Sequence, residues 1–127
     1  MDKILFVALG GAIGSSFRYA ISVLTVKTLG KLVLWATFSV NIIGSLFIGV
    51  LWAYFENNTS SDNLKLFLVV GILGGFTTFS SFTIETISLF KTDGIRNALL
   101  YLFASNIFGI LAAVLGYYLS KQIITIN

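Results

Sequence analysis

The chain has no cysteine, no histidine and no proline, and only 10% of its 127 residues are charged. Without cysteine there is no disulfide, no thiolate metal site and no thiol nucleophile. Without histidine the commonest general base and the commonest metal ligand are missing. Without proline, any break in a helix must come from glycine or from clustered serine and threonine. The 8 basic residues outnumber the 5 acids, but they are scattered and form no stripe that would hold nucleic acid. Apolar residues fill the rest: 57% of the chain is hydrophobic and the mean hydropathy is +0.96. A soluble domain is about 45–50% apolar and about 25% charged, and a chain this short has too much surface to hide such a content from water. The composition excludes most soluble enzymes and leaves an integral membrane protein, read as one domain over residues 1–127.

A bilayer core about 30 Å thick takes about 20 apolar residues per helix. Four runs qualify: Ile4–Val26, Leu32–Phe55, Leu64–Phe90 and Ile95–Leu119. The connections between them are short and polar: Lys27–Lys31 with Gly30, Glu56–Asn63, and Lys91–Gly94. The runs are too long, and lack the alternation, for strands of a membrane barrel. The fold class is therefore all-α, with four transmembrane helices. Lys3 followed by an apolar run has the look of a signal peptide, but Arg18 within the run, the lack of a small-residue cleavage site and three further spans predict a retained first helix. An even number of spans puts both termini on one side. Lys3, Lys65 and Lys121 then oppose Lys27, Lys31, Lys91 and Arg96. Orientation follows the Lys/Arg bias of short loops, and three against four is almost no bias. This balance fits two situations equally: a weak signal that other features resolve, or a chain that inserts both ways and pairs antiparallel.

Polar residues inside the spans are costly and mark packing or function. On the first helix Gly11, Gly14, Ser15 and Arg18 share a face by their spacing. Arg18 is either a snorkelling or anchoring base or a functional one. The second helix carries Thr37, Asn41, Gly44, Ser45 and Ile48 at helical spacing. Mid-span Asn41 either ties helices together or lines a wet cavity. The third helix is the most informative. It places Gly74-Gly75 and the hydroxyls of Thr77, Thr78, Ser80, Ser81 and Thr83 around the centre of its span. Glycine weakens a helix by about 1 kcal/mol per residue relative to alanine, and hydroxyls can replace lost backbone partners. The expectation is two half-helices around an unwound turn at the bilayer midplane, whose carbonyls and helix ends can hold ions; a continuous helix with a small packing face is the plainer alternative. Phe79 and Phe82 share a face. They either meet lipid or turn their positive ring edges to an anion path. On the fourth helix Tyr101, Ser105, Gly109, Ala112 and Gly116 form a small, partly polar stripe for close packing or for lining a pore. Glu85 is the only acid well inside a span, and no catalytic constellation accompanies it. A pore or transporter, not an enzyme, is the economical reading.

Three motifs together resemble the Fluc (CrcB-type) fluoride channel family of microbes: Gly10-Gly11-Ala12-Ile13-Gly14 with Arg18, Val40-Asn41-Ile42-Ile43-Gly44-Ser45, and Gly74-Gly75-Phe76-Thr77-Thr78-Phe79-Ser80-Ser81-Phe82 with Glu85. The resemblance covers the whole chain, and the third motif is its specific part. It implies an antiparallel, dual-topology homodimer with two passive fluoride pathways in the bacterial cytoplasmic (inner) membrane. It also implies a structural Na+ at the dimer centre, held by backbone carbonyls at positions matching Gly74 and Thr77. Phe79 and Phe82 match the phenylalanines of the pathway, Asn41 the polar residue beside them, and Tyr101 and Ser105 a polar track on the fourth helix. Thr37 and Ser81 join this fluoride path, with Arg18 and Glu85 as vestibule or structural charges. Two positions depart from the pattern: Gly109, where a hydroxyl can extend the track, and Ser81, where threonine is common. The implied partners are fluoride, a second copy and the lipid bilayer. A less selective small-anion channel, a small dual-topology cation/proton antiporter and a non-transporting membrane subunit are the competing readings. The antiporter needs a mid-span acid that binds cation and proton in turn, and Glu85 is off-centre.

Overall fold

The computed structural model describes residues 2–29 and 33–126. Within them the chain forms α1 (Asp2–Leu29), α2 (Val33–Asn57), α3 (Asp62–Lys65), a π-helical stretch (Leu66–Leu73), α4 (Gly74–Phe76), α5 (Phe79–Thr92) and α6 (Ile95–Ile126). Four helical segments are long and apolar enough to cross a membrane: Asp2–Thr28, Val33–Asn57, Asp62–Thr92 and Ile95–Ile124. The solvent explains the helicity. In hydrocarbon every N–H and C=O must find its partner within its own segment, so an apolar run of this length is helical whatever its β propensity.

The helices overrun the boundaries expected from hydropathy. Lys27 and Thr28 continue α1, Glu56 and Asn57 continue α2, and Lys91 and Thr92 continue α5, although all six fall in expected connections. The fourth helix ends at Ile126 rather than Leu119. A polar residue at a helix end can send its side chain to water while its backbone bonds carry on, so loss of hydrophobicity does not mark loss of helix. The expected tight connection at Gly30 lies outside the described residues. The second connection closes with Ser61, whose side chain caps α3 by accepting from the Leu64 N–H at 3.3 Å. The third shrinks to Asp93-Gly94, where Gly94 turns the chain with φ +84°.

Two helix pairs build the bundle. α1 lies along the π-helical stretch and α4, and α2 lies along α6. Both seams rest on glycine. A Cβ at Gly14 would strike the Ile72 carbonyl oxygen, and one at Gly71 would come 2.8 Å from Gly10 Cα. A Cβ at Gly49 would strike the Ala113 carbonyl, and one at Gly116 the Leu46 carbonyl. Close backbone approach of this kind substitutes dispersion contacts for the hydrophobic drive that lipid cannot supply. The buried core is accordingly small-volume, with Ala36 and Ala53 fully covered and Val40 1% exposed. Large side chains such as Ile4, Tyr19, Trp52 and Ile110 point outward. Such a surface aggregates in water and is at rest in a bilayer.

Candidate functional site

The third span loses its helical backbone at two residues. Thr77 (φ −76°, ψ 157°) and Thr78 (φ −148°, ψ 112°) are extended, between α4 and α5. Local and long-range bonds hold this conformation. The Thr77 N–H and its hydroxyl both donate to the Leu73 carbonyl, at 3.0 and 2.9 Å. The Thr78 N–H, which in an unbroken helix would donate to the Gly74 carbonyl, donates instead to Asn41 Oδ1 at 2.8 Å. Asn41 Nδ2 donates back to the Thr78 carbonyl at 3.1 Å. Thr78 Oγ1 then caps α5 by accepting from the Ser81 N–H at 3.2 Å. That N–H would otherwise serve the Thr77 carbonyl. From α1, Arg18 Nε donates to the Gly75 carbonyl at 3.2 Å. Arg18 therefore turns inward to a helix C-terminus, where a cation complements the dipole, and does not snorkel. The carbonyls of Gly74 and Thr77 are left without their helical donors. Gly74 is exposed on the surface of this chain and Thr77 is half-buried.

Beside the extended pair lies a polar cavity of about 220 Å³. Ser15, Arg18 and Ser22 from α1, Thr37 from α2, and Ser81 and Glu85 from α5 line it. Glu85 is gripped from two helices: Thr37 Oγ1 donates to Oε1 at 2.6 Å, and the Tyr101 hydroxyl to Oε2 at 2.7 Å. These charge-assisted bonds are short and strong, and Thr37 is itself buried. Among the described residues neither Arg18 nor Glu85 enters an ion pair, although both line this cavity.

Phe82 joins Tyr101, a partner of Glu85, to Phe79. It is buried, its ring centroid 5.5 Å from that of Tyr101 and 5.7 Å from that of Phe79. Phe79 is 78% exposed. One turn beyond Tyr101, Ser105 Oγ is buried and makes no hydrogen bond among the described residues. Among the expected site residues, Arg18, Thr37, Ser81, Glu85, Tyr101 and Phe82 converge, and Asn41 joins them through Thr78. Phe79 and Gly74 instead face out of the chain. Sequence reasoning did not single out Ser22 or assign Thr78 its capping role. Both left a trace: Ser15 and Ser22 flank Arg18 at helical spacing, and Thr78-Phe79-Ser80-Ser81 has the spacing of a capping threonine. The π-helical stretch Leu66–Leu73 had no such signal, because its eight residues are uniformly apolar.

The fold is that of a four-span, multi-pass membrane protein, and its helices keep hydroxyls, an amide, a phenol and one carboxylate facing one another. The chain belongs to the CrcB family: the family model described as "CrcB-like protein, Camphor Resistance (CrcB)" matches residues 5–117. It is similar to a protein of Parabacteroides distasonis named fluoride-specific ion channel FluC, with 42% identity over 125 residues, 98% of each chain. A Thermus thermophilus protein of the same name is 43% identical over 124 residues, covering 98% of this chain and 99% of its own. One from Agrobacterium fabrum is 41% identical over 124 residues, 97% of this chain and 99% of its own.

Proposed function

We propose that the chain is a passive, fluoride-selective channel that lets fluoride leave the cytoplasm and so lowers its toxicity, and that it is not an enzyme. The observation that carries this reading is the polar cavity lined by Arg18, Thr37, Ser81 and Glu85, with Tyr101 bonded to Glu85 and packed on the Phe82 ring, in a chain whose full-length relatives are named fluoride-specific ion channels. Fluoride is small and strongly hydrated. A selective path must replace its water with small donors and ring edges, at a width chloride cannot pass. Asn41, Ser105 and Phe79 extend the path, and Arg18 and Glu85 are the vestibule or structural charges, with Arg18 drawing anions inward. HF is a weak acid that crosses bilayers and ionises inside. A membrane potential negative inside then drives the anion out through a passive leak.

On this reading the third span is broken at the bilayer midplane, and two copies pair antiparallel in the bacterial cytoplasmic (inner) membrane, with pathways at their interface. The exposed faces of Phe79 and Gly74 support a second copy there. A structural Na+ at the dimer centre fits the residues present: Gly74 and Thr77 offer hard carbonyl oxygens whose helical donors are engaged elsewhere. When bound, the ion supplies positive potential without a side-chain charge that would trap the anion.

The test is efflux from liposomes carrying the purified protein, loaded with fluoride or chloride, with valinomycin carrying the counter-charge and an ion-selective electrode as readout. Fast fluoride release without chloride release is expected. Release of both ions replaces the reading with a general small-anion pore. Release of neither from a folded protein turns attention to the cation/proton antiporter and to a non-transporting subunit.

A further inference from the structure

Asn41 lies among the residues of the proposed path, yet most of its bonding capacity is spent elsewhere. Its Oδ1 accepts from the Thr78 N–H and its Nδ2 donates to the Thr78 carbonyl. An amide offers two donor hydrogens and one acceptor oxygen, so one N–H remains for anything else. Its acceptor, meanwhile, removes the donor that a continuous helix would deliver to the Gly74 carbonyl. Thr78 itself is 8% exposed, so water does not compete freely for that N–H. Gly74 itself keeps ordinary right-handed helical angles, φ −63° and ψ −36°, so its carbonyl still points along the helix axis toward the place its donor would occupy. The residue that diverts the hydrogen bond comes from another helix, 37 positions earlier in the chain.

We infer that Asn41 is the positioning residue of the central cation site: by capturing the Thr78 N–H it keeps the Gly74 carbonyl oxygen open for the ion. The inference rests on the Na+ reading above and deepens it. Asn41 touches no ion in this role; it acts through Thr78. Thr78 Oγ1 in turn donates to Ser81 Oγ at 3.1 Å, so the residue that Asn41 grips also reaches the proposed anion path. Partners that orient a ligand's own ligands typically change metal affinity by about 10- to 100-fold when removed.

The experiment is a titration of thermal stability with Na+, against N-methylglucamine as the replacing cation, on purified full-length protein without fluoride. In Asn41→Ala the Thr78 N–H is free to close on Gly74, and the Na+ midpoint is expected to rise by about tenfold or more. Tyr101→Phe removes the hydroxyl that donates to Glu85 and makes no bond to Thr78, and its midpoint stays within about twofold of the unaltered protein. Asn41→Asp keeps an acceptor oxygen for the Thr78 N–H whatever its protonation, so its midpoint does not rise; this variant decides the matter if Asn41→Ala does not fold. An Asn41→Ala midpoint equal to that of the unaltered protein, or a raised midpoint in Asn41→Asp, overturns the role of Asn41 and leaves the cation site standing. No Na+ stabilisation of the unaltered protein overturns both.

Discussion

Phe82 and Phe79 occupy neighbouring turns and yet meet different surroundings. Phe82 is packed under Tyr101 at 5.5 Å between ring centroids, and Phe79 is left open on the outer face. Their shared helical face is legible from a spacing of three. Which ring the bundle covers is not, because α6 supplies the cover. If the edge of Phe82 presents its positive rim to the anion, an aliphatic side chain of similar bulk fills the space without that rim. Phe82→Ile is expected to abolish fluoride efflux while leaving a folded protein by size-exclusion chromatography; unchanged flux removes the ring-edge role. Thr37 and Glu85 carry a similar lesson. Each is an isolated polar residue in its own helix, 48 positions apart in the chain, and only their 2.6 Å bond makes them one unit.

The helices follow from hydropathy, and their seams follow from where glycine removes a side chain. α1 can approach the π-helical stretch because Gly10, Gly14 and Gly71 leave backbone against backbone. Gly11, one residue from Gly10, is different: a Cβ there would meet nothing within 4 Å. Gly14→Ala forces its methyl against the Ile72 carbonyl, and overpacking of this kind costs about 1–3 kcal/mol. Its expected outcome is a lowered thermal transition in detergent, with Gly11→Ala close to the unaltered protein; equal transitions for the two would mean that α1 does not sit on this seam. Helix ends were the least legible feature, since Lys27, Asn57 and Lys91 read as loop and remain helical. Membrane depth fixes where side chains must become polar, whereas hydrogen bonding fixes where the helix stops, and the helices run past the expected ends at Val26, Phe55, Phe90 and Leu119 to Leu29, Asn57, Thr92 and Ile126. The extended pair Thr77-Thr78 sits where glycine and hydroxyls cluster.

The bundle as a unit exposes most of its large apolar side chains, and in a four-span topology its basic residues outside the spans, Arg18 being within one, are set three against four. A chain that inserts both ways is sensitive to a small charge bias in its loops. Thr92→Lys with Asp93→Lys gives six bases against three. On the antiparallel reading, this variant alone adopts one orientation and loses fluoride efflux, and the complementary orientation supplied in trans restores it. Because the chain has no cysteine, one introduced cysteine reports the orientation by labelling from either side. Full efflux from a single-orientation population would exclude antiparallel pairing.

The amino-acid order alone established the solvent, the helix count, the polar positions within the spans and the family motifs. These depend on composition and on the 3.6-residue period, both local properties of the chain. The fold settled the pairing of those positions: that Arg18 turns to Gly75, that Thr37 and Tyr101 share Glu85, and that Asn41 takes the Thr78 N–H. Each of these bonds joins side chains or backbone of different helices. Its existence depends on how two helices are rotated against each other, and that rotation is set by close packing at glycine, which no single helix contains.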